Sequence, residues 1–107
     1  MLVDFSIIPV GGDTHTSKQL ADALRVVDAS GLPHQLTPAG TCIEGDWNEV
    51  MNVIRQCHER VRKLSEHVVT VIKIEDDAQA SDKIRRNVES IEREIGHPID
   101  NVRTKAA

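Results

Sequence analysis

Four oxygen-bearing side chains in this 107-residue chain have the types and positions to grip a small molecule: Ser6, Thr37, Thr41 and Glu44. Two of them lie in Gly40-Thr41-Cys42-Ile43-Glu44-Gly45-Asp46-Trp47, which runs from the end of a predicted strand straight into a predicted helix. A strand carboxylate beside a glycine can accept from a neutral N–H donor or offset a cationic ligand. Alternation puts Glu44 on one face with Cys42, and Thr41 with Ile43 on the other. A structural role for Glu44 stands equally open, as an acid near the positive end of the following helix. Asp46 needs no ligand to explain it. With Glu49 three residues on, it forms an acidic variant of the capping box. Trp47 could stack on a planar ring, but a lone Trp favours packing. Ser6 and Thr37 bring further hydroxyls on adjoining strands.

Catalytic and metal chemistry find little footing. No serine sits in a nucleophile-elbow context. The histidines His15, His34, His58, His67 and His97 are dispersed, and none pair at the spacing that sets two ligands on one helix face. Cys57 and His58 are neighbours, about 100° apart on a helix. Cys42 and Cys57 form no CxxC and suit free or buried thiols. No catalytic residue, metal or cofactor is expected, and the chain is not expected to be an enzyme. The net charge is −4 with basic residues scattered, and aromatics are 2%. Both argue against a nucleic-acid partner, which calls for a basic footprint and stacking rings. No basic leader or long apolar run suggests export or a membrane, so a cytoplasmic location is expected.

The elements that would position these groups follow from hydrophobic period. Residues 2–10 alternate as a strand, with Val3, Phe5 and Ile7 on one face and Leu2, Asp4, Ser6 and Ile8 on the other. A loop rich in Asp and Thr caps leads into a helix to about Ser30, with Leu20, Ala23, Leu24 and Val27 in one stripe. His34–Thr37 and Thr41–Glu44 flank Pro38-Ala39-Gly40, which predicts a hairpin. Val50, Val53, Ile54, Cys57, Val61 and Leu64 mark the second helix. His67–Glu75 is apolar on both faces, as a strand covered on both sides would be. Ser81 opens a third helix with a seam of Ile84, Val88, Ile91 and Ile95, stopped by Gly96 and Pro98. The order gives an α+β class: a ferredoxin-like βαββαβ sandwich with a four-stranded antiparallel sheet and an extra C-terminal helix. One domain over residues 1–98 is expected, with a frayed tail at 99–107.

Two helices cover one sheet face, which leaves the second partly apolar. That predicts association through the sheet, with an even number of subunits.

The opening Ser6-Ile7-Ile8-Pro9, the Ser30-Gly31-Leu32 helix exit, the hairpin from Leu36-Thr37-Pro38 to Gly40-Thr41-Cys42-Ile43-Glu44-Gly45, and Val71-Ile72-Lys73-Ile74 together resemble the thiamine-binding protein family (UPF0045/DUF77). The resemblance spans roughly Leu2 to Ile95, and the Gly-Thr-x-Ile-Glu-Gly element is its specific part. It implies a ferredoxin-like subunit, homo-oligomers built as dimers of dimers, and non-enzymatic binding of thiamine or its hydroxymethylpyrimidine moiety in transport or salvage. On that implication Glu44 would accept from the ring amino group or a protonated ring nitrogen, and Thr37, Thr41 and Ser6 would complete the edge. The alternative expectation is an oligomeric interaction or regulatory module with no dedicated small-molecule ligand.

Overall fold

The computed structural model describes residues 1–11, 16–79 and 81–99. Its elements are β1 (Leu2–Pro9), α1 (Thr16–Ala29), β2 (His34–Thr37), β3 (Gly40–Glu44), α2 (Trp47–Leu64), β4 (Val68–Glu75) and α3 (Lys83–Ile95). The strands form one antiparallel sheet in the order β2-β3-β1-β4, which is the ferredoxin-like arrangement with a helix added at the end. The caps expected at Asp13 and Thr14, and the tail from residue 100, lie outside the described residues.

Register decides which side chains share a face. Val3, Phe5 and Ile7 lie on the same side as Thr41 and Ile43, their neighbours in the pairings Val3↔Ile43 and Phe5↔Thr41. That side meets α1 and α2, and Val3, Ile43, Val27, Val50, Cys57 and Val61 are almost wholly removed from water there. Burying each such side chain stabilises the fold by about 1.5 to 3 kcal/mol relative to leaving it exposed. With a single Phe in the chain, branched aliphatics must fill this layer.

The other side of the sheet is left uncovered by α1 and α2, and only the start of α3 meets it, at the Glu44 end of β3. Leu2, Asp4, Ser6 and Ile8 of β1 lie there with Gly40, Cys42 and Glu44 of β3, and with Val69, Val71 and Lys73 of β4. The smallest principal extent of the backbone is 21 Å, enough for one sheet and one helical layer.

Three expectations need correction. β4 is an edge strand, not a strand covered on both sides: Val69, Val71, Ile72 and Ile74 are all exposed. Its apolar faces come from incomplete cover within one chain. Leu64, the last residue of α2, is exposed rather than core. α3 starts at Lys83, not Ser81, because Asp82 before it takes a left-handed conformation with φ 59°.

Candidate functional site

The sheet ends in a tight corner where β2 turns into β3. Thr37 builds it. Its Oγ1 accepts from the backbone N–H of Ala39 at 3.2 Å and of Gly40 at 3.1 Å, and donates to the Gly40 carbonyl at 3.0 Å. A hydroxyl has one donor and two acceptor positions, so Thr37 has none left for anything else. Ser6 Oγ reaches across from β1 and donates to the Ala39 carbonyl at 3.1 Å. Among the described residues nothing donates to its acceptor positions. The corner also needs Gly40. A Cβ there would stand 2.8 Å from Ser6 Oγ, 2.9 Å from the Phe5 carbonyl and 3.1 Å from Asp4 Oδ1.

Beneath this corner lies a cavity of about 250 Å³. Phe5, Ile7, Leu20, Leu24 and Leu36 supply most of its wall, Ser6, Thr37 and Thr41 its hydroxyls, and Cys57 part of its floor. Thr41 is 5% exposed. Burial pushes the Cys57 thiol up to about 11, and its Sγ donates to the Ala23 carbonyl at 3.2 Å. At neutral pH it is a protonated, apolar-seated thiol with no activated nucleophilic character. The cavity lies just below the ~300 to 1,000 Å³ typical of sites for drug-sized ligands, so it suits one small ring.

Glu44 stands at the other end of β3 and does not line this cavity. It is 7% exposed, and both its oxygens are engaged. Oε2 accepts from the backbone N–H of Lys83 and Oε1 from that of Ile84, each at 2.7 Å. These N–H groups open α3, and Asp82, in the cap position, makes no side-chain cap bond of its own. A carboxylate brought from a distant strand therefore caps the helix. It satisfies two of the unpaired donors at its start and faces the positive end of its dipole. The helix concerned is α3, 39 residues downstream of Glu44, and not the adjacent α2. Lys83 Nζ strengthens the junction through Glu75 at 3.3 Å and Asp77 at 3.2 Å, and these carboxylates hold the ammonium above its ordinary range.

The structure thus gathers Ser6, Thr37 and Thr41 around one cavity and sets Glu44 apart. Asp46 caps α2 as expected, accepting from the Glu49 N–H at 2.8 Å, and this bond holds its carboxyl below the usual range. Trp47 is 56% exposed, so it neither packs in the core nor faces the cavity. Sequence reasoning missed the apolar wall of Leu20, Leu24 and Leu36. The one available signal was Gly40, since a glycine inside a strand pattern marks a close approach of backbone or ligand.

A larger groove of about 570 Å³ runs between α1 and α2, past Arg25, Asn52, Gln56 and Arg60. Both arginines turn to Asp22, at 3.5 and 3.3 Å, and the groove is the solvated outer seam of the helix pair. Cys42 is half-buried on the open sheet face, and desolvation and then Asp4 raise its thiol. Among the described residues no three His, Cys, Asp or Glu side chains are placed to hold a metal ion, and no helix is long and apolar enough to cross a membrane.

A family model described as thiamine-binding protein matches residues 3–92. The UPF0045 protein of Mycobacterium bovis is 36% identical over 99 residues, spanning 92% of this chain and 97% of that one. The UPF0045 protein YqgV of Bacillus subtilis is 31% identical over 100 residues, spanning 88% and 96%. A solved structure of a Methanocaldococcus jannaschii protein superposes with a TM-score of 0.77 at 28% identity, covering 84% of this chain and 93% of that one. A domain of unknown function from Bacillus cereus superposes with a TM-score of 0.76 over 87% and 90%. At 22% identity it bears on the fold alone.

Proposed function

This chain belongs to the thiamine-binding protein family, and from that premise we propose that it binds thiamine through its hydroxymethylpyrimidine ring, or that ring alone, without catalysis. The role is carriage or salvage in the cytoplasm. The observation that carries this reading is the cavity under the β2–β3 corner, which combines a small volume, an aliphatic and Phe5 wall, and a hydroxyl edge of Ser6 and Thr41. Ser6 Oγ accepts from the ring amino group with a lone pair its bond to Ala39 leaves open. Thr41 meets a ring nitrogen, and Thr37 shapes the rim through its methyl. Glu44 would touch a ligand only by giving up both of its bonds to α3. Self-association through the open sheet face, as part of a dimer of dimers, completes the proposal. The apolar patch of Ile8, Val69 and Val71 supports it.

Calorimetric titration of thiamine and of hydroxymethylpyrimidine into the wild type, Thr41→Val and Glu44→Gln tests the site. The expected result is binding in the wild type, an affinity about 10-fold lower in Thr41→Val, and little change in Glu44→Gln, since a lost buried hydrogen bond is worth about 1 to 1.5 kcal/mol. No heat with either ligand would sink the proposal. A loss confined to Glu44→Gln would move the site to the far end of β3.

A further inference from the structure

No residue of α3 is buried. Ile84, Val88, Ile91 and Ile95 nevertheless recur at intervals of four, three and four, the narrow seam of a coiled coil rather than the broad stripe of a helix laid on a sheet. Val88 is 43% exposed, Ile91 55% and Ile95 51%. The helix is fixed at its start by Glu44 and Lys83, and the rest of its seam faces outward.

We propose that α3 pairs antiparallel with α3 of a second copy of this chain. The charge pattern carries both the identity of the occupant and its direction. The first half of the helix bears Lys83, Arg85 and Arg86; the second bears Glu89, Glu92 and Glu94 with Arg93. A parallel pair would stack like charge on like. An antiparallel pair lays each basic half on the acidic half of the other copy, so the surface is complementary to itself, as a two-fold contact requires. Seating Val88 against Ile91 of the second copy, and Ile84 against Ile95, brings Arg85 beside Glu92 of the second copy on the same flank of the seam. Among the described residues Arg85 pairs with Asp82 at 2.5 Å and Glu89 at 3.8 Å, both exposed pairs that exchange partners at little cost. Glu92 uses one oxygen, Oε2, for the Ile99 N–H at 2.7 Å.

Size sets what this pairing does. Thirteen residues make a helix of about 20 Å, too short to reach the ~800 Å² per partner of a standard interface. Alone it is a weak contact. A dimer of dimers, however, needs two different self-complementary surfaces, and the seam adds a second to the sheet face proposed above. The pairing rests on that assembly and not on the ligand.

Light-scattering mass of the full chain, followed over a wide range of concentration from micromolar upward, tests it. Ile91→Lys is expected to halve the limiting mass with the circular dichroism of the body retained. Val71→Glu, on the sheet face, halves it separately, and the two together give single chains. Arg85→Glu weakens the seam about 5-fold, and Arg85→Glu with Glu92→Arg restores it. A wild type that is a single chain throughout would overturn the pairing and leave α3 to another protein or to water. So would an Ile91→Lys mass equal to the wild type, or a double charge swap as weak as the single. An inert Val71→Glu beside an active Ile91→Lys would remove the sheet contact alone and keep the seam.

Discussion

At its Gly40 end β3 closes a turn with groups two or three residues apart, while at its Glu44 end it caps a helix that begins 39 residues later. Both ends bring polar groups in from the strand and satisfy them fully. The first uses short-range bonds, so the corner is stiff and a cavity can persist beneath it. The second uses one charged side chain to hold a helix that follows α2 and β4 in the chain, with Lys83 to Asp77 and Glu75 beside it, so the attached helix is only as secure as those few polar contacts. A strand of five residues thereby separates a rigid, cavity-bearing end from a tethering end.

Substitutions at the two ends should behave differently. The largest effect is expected for Gly40→Val, whose Cβ meets the Phe5 carbonyl and Ser6 Oγ closer than any real contact allows. Backbone must move, and a loss of about 3 kcal/mol in denaturant unfolding is expected. A variant as stable as the wild type would mean that the corner is not stiff. Glu44→Ala comes next. Two backbone donors lose a charged acceptor, but the loss falls on α3 alone and not on the core, so the helical signal of α3 should fade while the sheet and the other two helices remain and the main unfolding transition moves less than in Gly40→Val. If α3 keeps its helicity, or the whole domain melts with it, the two ends are not independent. The smallest change is Thr37→Val, which keeps shape and loses the turn bonds, at about 1 kcal/mol. Thr37→Ser should recover most of it.

Elements and order were legible because period and local caps encode them. Asp46 and Glu49 announce α2, and the Val53–Ile54–Cys57–Val61 stripe lies buried as its spacing requires. Both are relations within a few residues. The partner of Glu44 was not legible. Nothing near position 44 points to positions 83 and 84, and its carboxylate was read against the nearer helix. A trace lay at the other end, where Asp82 precedes α3 but adopts a left-handed backbone that a helix cap does not use. β4 misled for a related reason: an apolar strand reads the same whether a helix, a second chain or nothing covers it. That Ser6, Thr37 and Thr41 come together was legible because Thr37 and Thr41 flank one hairpin and Ser6 lies on the adjoining strand. The aliphatic wall around them depends on how α1 packs, which hydroxyl positions do not disclose.

The remote cap on α3 also bears on the order of folding. An isolated helix of thirteen residues is marginal in water, and its nucleation is the costly step. Here the nucleus includes a carboxylate that is in place only once β3 has paired with β1 and Glu75 has been brought beside Leu2 by β4. The expected order is therefore sheet first and α3 last, with α3 added to a finished domain, and a Glu44→Ala variant should leave the folding rate of the sheet unchanged.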